Sequence, residues 1–161
     1  MYTTYVRPHL EYCAPIWSPY LVRDIEVLEK VQKQATKLVK GYEKLPYEQR
    51  LKSLGIYTLF CRRQRGDLIE VFKILNRYYD IKPTQFFKPS DVTSTRGHCM
   101  KLSKLHARLR IRSSFFTQRV IGSWNSLPDN VVEANTTVLD LLSSNWMSTG
   151  DHKDMDMNKG L

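Results

Sequence analysis

The sequence predicts a mostly α-helical protein: a helical bundle with a small two-stranded β ribbon near residues 99–112 and a disordered C-terminal tail. Two long segments, 19–39 and about 59–77, carry apolar residues at helical spacing. The segment 108–112 instead alternates strictly between basic and apolar residues, which is typical of a strand. Residues 148–161 are polar and unpatterned, so no packed element is expected there.

The N-terminal third is predicted to hold a short helix and a long one. Residues 2–17 are mixed apolar and aromatic, and a short helix there should end before Pro15. Ser18 followed by Pro19 indicates a helix start, because serine caps and proline suits the first helical position. The helix over 19–39 has acidic residues early and lysines late, an order that complements the helix dipole.

Boundary residues mark two more helices. A short helix over 46–54 should be closed by Gly55. Thr58 is placed to cap the helix of about 59–77. On a helical wheel this helix has an apolar face that should be buried and an opposite face that should be solvent-exposed and basic, with Arg62, Arg63, Lys73 and Arg77.

The C-terminal half begins with a predicted loop over 80–97, which is rich in proline and serine. Met100 and Leu102 alternate with polar neighbours, and this predicts a partner strand for 108–112. Two helices are predicted after the ribbon. One runs over about 115–126, capped by Ser114, with a buried stripe of Phe116, Val120 and Trp124; the other starts at Thr136 or Thr137 and runs through Trp146.

Positive charge is concentrated in the centre of the chain. The formal net charge is +9 and the isoelectric point about 9.5. Residues 50–119 hold 16 basic and 4 acidic residues, whereas residues 120–161 hold 2 and 6. A basic balance favours polyanionic partners, such as nucleic acid or an anionic membrane surface.

The strongest functional signal is a basic stretch without acidic residues. Between Val92 and Pro128 there are seven lysines and arginines and no aspartate or glutamate. Arginine forks suit phosphate oxygens, and Phe115 or Phe116 could stack on an unpaired base, although Phe116 also fits the buried stripe. A merely solvated basic face is the alternative. The candidate nucleic-acid-binding residues are Arg96, Lys101, Lys104, Arg108, Arg110, Arg112 and Arg119, with a second patch of Arg62, Arg63 and Arg65.

The sequence gives little support for catalysis or for metal binding. His98, Cys99 and His106 lack a convincing fourth ligand and the usual zinc-finger spacing. Cys13 with His9 lacks a third group that would orient a nucleophile–base pair. Neither of the common glycine-rich phosphate-binding motifs occurs. We therefore expect no metal and no cofactor.

Cysteine usage and hydropathy bear on localisation. The three cysteines are widely spaced and form no CxxC motif, which indicates reduced thiols rather than a disulfide framework. The sequence shows no signal-peptide pattern and no apolar run near the roughly 20 residues that span a bilayer. These observations predict an intracellular protein, nuclear or cytoplasmic, with no membrane partner.

Several short strings, read in order, carry a family resemblance. The strings are YVRPHLEYCAPIWSP (5–19), LEKVQKQATKLV (28–39), LKSLG (51–55), RRQRGDL (62–68), TRGH (95–98), FFTQRV (115–120) and WNSLP (124–128). From about residue 2 to 146 their order and spacing resemble the end of the polyprotein of jockey-like non-LTR retrotransposons.

The resemblance implies a C-terminal piece of a reverse transcriptase, an RNA-directed DNA polymerase. In that family this segment follows the polymerase palm and corresponds to the thumb and the extension beyond it. The family's catalytic aspartates and its endonuclease domain lie upstream, and no Asp-Asp pair occurs in this chain. The resemblance thus implies a thumb-like helical region at 1–57, a basic C-terminal helical region with the ribbon at 58–147, and the tail at 148–161.

Two functional hypotheses follow from the sequence, and neither is an enzyme. The first is a non-catalytic reverse-transcriptase fragment that binds the RNA or DNA backbone. The second is a helical protein-interaction module or a non-functional transposon relic. In the second case apolar surface, expected to be exposed without a palm, would contact the missing palm or a second copy.

Overall fold

The computed structural model describes residues 1–90 and 97–132, and within these ranges the chain is mostly helical, which confirms the predicted class. A π-helical turn spans Tyr2–Val6 and a 3₁₀ turn spans Pro83–Gln85. The α-helices of the described ranges are α1 (Arg7–Glu11), α2 (Ala14–Trp17), α3 (Val22–Lys37), α4 (Tyr47–Leu54), α5 (Leu59–Leu75), α6 (Arg110–Ser113), α7 (Phe116–Asn125) and α8 (Asp129–Val132).

The chain divides into two compact units, Met1–Gly66 and the residues from Asp67 onward, so the division falls inside α5. The domain boundary expected from the sequence, after residue 57, would place the whole of α5 in the second region. Three other sequence-based predictions concern residues outside the described ranges: the helix from Thr136 or Thr137 through Trp146, the tail 148–161 and the placement of Arg96. None of the helices in the described ranges combines the length and the apolar character that a membrane crossing requires.

The start of α3 differs from the prediction, although the helix itself is confirmed. It begins at Val22, after Leu21 in an extended conformation (φ −82°, ψ 134°), and no side chain caps it. Ser18 instead ends α2, where its backbone N–H donates to the carbonyl oxygen of Ala14 at 3.1 Å. A serine that terminates one helix is not in position to cap the next.

The N-terminal segment is helical beyond the point at which the sequence predicted a stop. Pro15 lies in the first turn of α2, where its missing N–H leaves no intrahelical hydrogen bond unmade. The break falls earlier, at Cys13, whose left-handed conformation (φ 51°) separates α1 from α2. The predicted short helix that ends before Pro15 is therefore confirmed as α1, and α2 is a further short helix that the sequence did not predict.

Two predicted helix boundaries in the first unit are confirmed. Gly55 follows α4 in the left-handed region (φ 62°), and the N–H of Ile56 donates to the carbonyl oxygen of Leu51 at 3.0 Å. Thr58 precedes α5, and its hydroxyl oxygen accepts a hydrogen bond from the N–H of Cys61 at 3.2 Å.

A buried glutamine joins three separate segments of the first unit. Gln32 on α3 is fully buried. Its side-chain oxygen Oε1 accepts a hydrogen bond from the Tyr2 hydroxyl at 2.8 Å. Its amide donates to the hydroxyl of Tyr47 and to the carbonyl oxygen of Tyr57, each at 2.9 Å. The interior of this unit is therefore organised by polar contacts as well as by apolar packing.

The same network ties α3 to the start of α5. The Tyr47 hydroxyl donates to Glu29, one turn from Gln32 on α3. The second carboxylate oxygen of Glu29 accepts a hydrogen bond from the N–H of Leu59 at 3.0 Å, which satisfies a donor in the first turn of α5. Burial, and then the neighbouring Glu29 carboxylate, raise the pKa of Tyr47 above its ordinary value.

The second unit has an apolar core, and the predicted stripe of α7 belongs to it. Val120 and Trp124 are buried and Phe116 packs against them. The Trp124 indole N–H donates to the carbonyl oxygen of Met100 at 2.8 Å. The other buried apolar members of this core are Leu68, Val71, Phe72, Ile74, Phe87, Leu102, Ile121, Leu127, Val131 and Val132.

The predicted β ribbon is wrong for the residues that the structure describes. Arg110–Ser113 is a short helix, and Leu102 forms an isolated antiparallel bridge with Pro89 instead of pairing with 108–112. Leu109 and Ile111 are 63% and 50% exposed, so the apolar face of the expected strand is not buried. Strict alternation stabilises a strand only where one face is buried and a partner strand lies alongside.

Candidate nucleic-acid interface

The segment 104–112 carries four exposed cationic side chains: Lys104, Arg108, Arg110 and Arg112. Among the described residues, none of the four has a carboxylate within salt-bridge distance. The sequence has no acidic residue between Val92 and Pro128, so no neighbour along the chain neutralises them. These four residues, called the basic segment below, are the uncompensated part of the predicted site.

Hydrogen bonds order both ends of the basic segment. Upstream, the N–H of Ser103 donates to the carbonyl oxygen of Lys88 at 2.8 Å, next to the Pro89–Leu102 bridge. Downstream, the hydroxyls of Ser113 and Ser114 donate to the carbonyl oxygen of Arg110 at 2.6 and 3.0 Å. The segment is thus tied to Lys88 at its upstream end, its last turn is closed by local hydrogen bonds, and its charged side chains are exposed.

Arg119, the seventh cation of the predicted stretch, is paired inside the second unit. Its guanidinium donates to both carboxylate oxygens of Asp67 at 2.9 Å, and to the carbonyl oxygen of Ser114 at 3.1 Å. It also lies over the Phe116 ring, 5.9 Å from the centroid. This arrangement suits Arg119 to hold the start of α7 in place rather than to meet a phosphate.

Two adjacent phenylalanines differ in their surroundings. Phe116 packs on the core, and its ring makes an edge-to-face contact with Phe87 at 5.7 Å between centroids. Phe115 is 49% exposed, and the guanidinium of Arg112 lies over its ring, 5.3 Å from the centroid. Of the two aromatic residues considered from the sequence, Phe115 is the one that a ligand can reach.

The second predicted patch lies in the first unit and is largely engaged in internal contacts. Arg62 forms a two-pronged ion pair with Glu11, and this hydrogen bond, more than the neighbouring charge, raises the pKa of Arg62. Arg63 is buried, donates to the carbonyl oxygen of Leu10 and lies over the ring of Trp17, 4.2 Å from the centroid.

The expectation of a solvent-exposed basic face on this part of α5 is therefore wrong at Arg63. A guanidinium can be buried where its donors find carbonyl oxygens and its plane meets an aromatic ring. Arg65, the third residue of the patch, is half-buried. All three arginines lie on α5, but their exposure differs: Arg63 is buried, whereas Arg62 and Arg65 are half-buried.

The residues considered for a metal site are separated by burial. His98 is buried, its Nε2 lies 3.0 Å from the carbonyl oxygen of Trp124, and the two rings meet edge to face. Cys99 and His106 are exposed. Within the described part of the chain no group of three or more histidine, cysteine, aspartate or glutamate side chains is placed to hold a metal ion.

Lys101, a predicted phosphate contact, is half-buried.

Sequence reasoning missed two features of this region. The first is the pairing of Arg119 with Asp67, because the two residues lie 52 positions apart in the chain. The second is the contact between the guanidinium of Arg112 and the Phe115 ring. The sequence left both Phe115 and Phe116 as stacking candidates, although it already indicated that Phe116 fits the buried stripe of α7.

Comparison of the chain with protein-family models, with curated proteins and with solved structures found no match. What the site can bind is therefore inferred from the chemistry of its own residues. In proteins generally, exposed arginine and lysine side chains are able to bind phosphate oxygens through charge-assisted hydrogen bonds. Such contacts release counterions and give an affinity that depends little on base sequence.

Proposed function

We propose that this chain binds the RNA or DNA backbone and performs no chemistry itself. The observation that carries the proposal is the basic segment, whose four cationic side chains are exposed and have no carboxylate partner among the described residues. Paired cations such as Arg119 and Arg62 contribute to structure instead. The proposed partner is a polyanion met in the nucleus or the cytoplasm.

We further propose that the chain derives from the C-terminal region of a non-LTR retrotransposon reverse transcriptase of the jockey type. The support is the ordered series of sequence strings from 5–19 to 124–128. In that setting residues 1–57 are a thumb-like region and residues 58–147 a basic extension. Transcripts that encode an in-frame polymerase palm upstream of Met1 are the expected finding, and their absence from full-length transcripts would count against this origin.

The number of exposed cations sets the expected salt dependence. Each neutralised phosphate contributes a slope of about −0.9 on duplex DNA and about −0.7 on a single strand in a plot of log affinity against log salt. Four contacts from the basic segment give a slope of roughly −2.8 to −3.6. A slope near zero would exclude backbone binding by this segment.

The test compares two triple variants with the same change in charge. Arg108→Gln, Arg110→Gln and Arg112→Gln together remove three cations of the basic segment. The control combines Lys30→Gln, Lys37→Gln and Lys40→Gln, three exposed lysines of the first unit. Fluorescence-anisotropy titration at low salt should show weaker binding and a smaller slope for the arginine variant, and little change for the control. Equal losses in both would indicate general electrostatic attraction without a site.

The alternative function, a helical protein-interaction module, is favoured by exposed apolar side chains in the first unit. Ile16 is 84% and Leu38 87% exposed. Exposed apolar side chains, where they adjoin one another, drive association with a partner or with a second copy. Other exposed apolar or aromatic side chains of this unit include Tyr5, Tyr12, Trp17, Tyr20, Val22 and Val27.

Sedimentation velocity separates this alternative from the first proposal. A module that binds through apolar surface should self-associate with increasing concentration or bind an apolar dye, and salt should strengthen the association rather than weaken it. A salt-independent monomer that binds no dye would exclude this alternative, and nucleic-acid binding would then stand as the function.

A further inference from the structure

We propose that the basic segment, together with Phe115, prefers unpaired RNA or DNA over a duplex, with the Phe115 ring stacking on a base while Arg108, Arg110 and Arg112 contact phosphates. This inference rests on the proposed function, because it names the form of nucleic acid that the same surface binds.

Phe115 is exposed for a structural reason. It precedes α7, and the next residue, Phe116, takes the place on the core, in edge-to-face contact with Phe87. Phe115 is thereby left on the surface with 49% of its area exposed. An aromatic ring in that position, next to a run of cations, offers a π-face to a ligand instead of to the core.

The backbone on both sides of Phe115 is fixed. Its N–H donates to the carbonyl oxygen of Arg112 at 3.2 Å, and its own carbonyl oxygen accepts from the N–H groups of Gln118 at 2.8 Å and Arg119 at 2.9 Å. The Arg119 side chain then reaches the Ser114 carbonyl oxygen at 3.1 Å. The ring is thus carried by an ordered junction between α6 and α7, which lowers the entropy lost when a ligand binds.

Arg112 supplies the cation beside the ring. Its guanidinium lies 5.3 Å from the centroid of Phe115 and has no carboxylate partner among the described residues. A guanidinium in that position can donate to a phosphate and also present its plane to a base. Stacking and backbone contact are therefore available within one short stretch, as in surfaces that bind single strands without reading their sequence.

A duplex cannot use the Phe115 ring in the same way. Its bases are already stacked and paired, and extracting one carries a free-energy penalty. The arginines can still contact the phosphates of a duplex, so binding persists while the contribution of the ring is lost. The difference in affinity between an unpaired strand and a duplex is then the contribution of Phe115.

An anionic lipid surface is the competing ligand, because Leu105, Leu109 and Ile111 are also exposed in this stretch. Interfacial binding uses a continuous amphipathic helix with one broad apolar face. The helix here, α6, has four residues, and Leu109 lies outside it. The Phe115 ring with the Arg112 guanidinium over it fits a base better than an acyl chain, and phosphatidylglycerol vesicles form a separate arm of the experiment.

The experiment uses the full chain and three labelled oligonucleotides of the same length, about 12 nucleotides, which is within the usual site size for such surfaces. One is a base-bearing single strand, one a single strand with abasic positions throughout, and one a duplex. The abasic strand keeps the phosphates and removes the stacking partner. We expect the base-bearing strand to bind about 5- to 100-fold more tightly than the abasic strand, the range that one stacked base produces.

Four variants assign this difference to Phe115. Phe115→Leu should lower affinity for the base-bearing strand to that for the abasic strand and leave the salt slope unchanged. Phe115→Tyr should retain the difference, which guards against a folding defect in the leucine variant. Leu109→Ala, which removes exposed apolar area without a π-face, should also retain it, as should Ile111→Ala.

The outcomes separate the inference from the proposed function. If no oligonucleotide binds at low salt, the proposed function fails and this inference with it. If the base-bearing and abasic strands bind equally, or if Leu109→Ala abolishes the difference as Phe115→Leu does, the stacking inference is overturned while backbone binding stands. If Phe115→Leu instead abolishes binding to phosphatidylglycerol vesicles and the oligonucleotides show no difference, the surface is assigned to lipid and the inference is overturned.

Discussion

Arg119 donates hydrogen bonds of 2.9 Å to both carboxylate oxygens of Asp67, which joins the first turn of α7 to α5 within the second unit. The Asp67 side chain is only 7% exposed and that of Arg119 21%. Breaking a buried ion pair leaves a charge without compensation and typically costs about 3–5 kcal/mol. Because Arg119 is partly exposed, we expect Asp67→Asn to lower the free energy of unfolding by about 2–3 kcal/mol, measured by urea denaturation.

The control for this prediction is an ion pair that solvent screens. Arg23 lies 3.4 Å from Asp24 at the exposed start of α3. Arg23→Gln should change the free energy of unfolding by less than about 1 kcal/mol, the usual limit for a surface pair. If Asp67→Asn were no more destabilising than Arg23→Gln, the Arg119–Asp67 pair would not be a structural element of the second unit.

A second prediction concerns alkaline pH and Tyr2. Burial, followed by the negative charge of Glu29, raises the pKa of Tyr2 to about 12 from its usual value near 10. The folded state then holds the phenolic proton more tightly than the unfolded state does. The resulting stability is complete below about pH 10 and is lost as the pH rises from 10 toward 12. Melting temperature measured across this range should therefore fall in the wild-type chain.

Tyr2→Phe isolates the contribution of that hydroxyl. The variant loses the hydrogen bond to Gln32, so at neutral pH it should be less stable by about 1 kcal/mol. Between pH 10 and 12 the difference between variant and wild type should shrink, because phenylalanine has no proton to lose. A difference that stays constant with pH would show that Tyr2 does not titrate as described.

Two glycines of the first unit should respond to alanine in opposite directions. Gly55 adopts φ +62° after α4, a conformation that alanine adopts only with strain, so Gly55→Ala should destabilise by about 1 kcal/mol. Gly66 lies within α5 without such a constraint, and an added Cβ there would meet no atom within 4 Å. Gly66→Ala should stabilise by about 0.5–1 kcal/mol. Thermal melts of both variants check the pair, and a shift of the same sign in both would contradict it.

Local signals explain which parts of the fold the sequence could predict. Gly55 and Thr58 act on their own helix ends through contacts within a few residues, and the spacing of Val120 and Trp124 identifies the buried face of α7. The wrong predictions arise where one local sequence pattern is compatible with two different structures. Ser18 is followed by proline and suits a helix start, yet its N–H completes the end of α2.

The sequence predicted the positive charge of the candidate site, but it did not predict which of its arginines form ion pairs with carboxylates. The alternation of 108–112 predicted a strand, but Leu102 pairs with Pro89 and leaves this stretch without a partner. Whether an arginine is open to a ligand depends on carboxylates and carbonyl oxygens distant in sequence. Arg62 and Arg110 look alike in the sequence, yet Glu11 engages the first and no carboxylate of the described residues engages the second.

Substitution of Arg119 and of Arg110 should therefore have opposite effects on stability and on nucleic-acid binding. Both are arginines of the predicted basic stretch, but only Arg119 has a carboxylate partner among the described residues. Arg110→Gln should leave the urea midpoint nearly unchanged and reduce the salt slope of nucleic-acid binding by about 0.7–0.9, the contribution of one phosphate contact. Arg119→Gln should lower the urea midpoint and, at temperatures where the variant is fully folded, leave the slope unchanged. The reverse pattern, a slope that depends on Arg119 and not on Arg110, would mean that the Asp67 pair opens on binding and that the basic segment is not the docking surface.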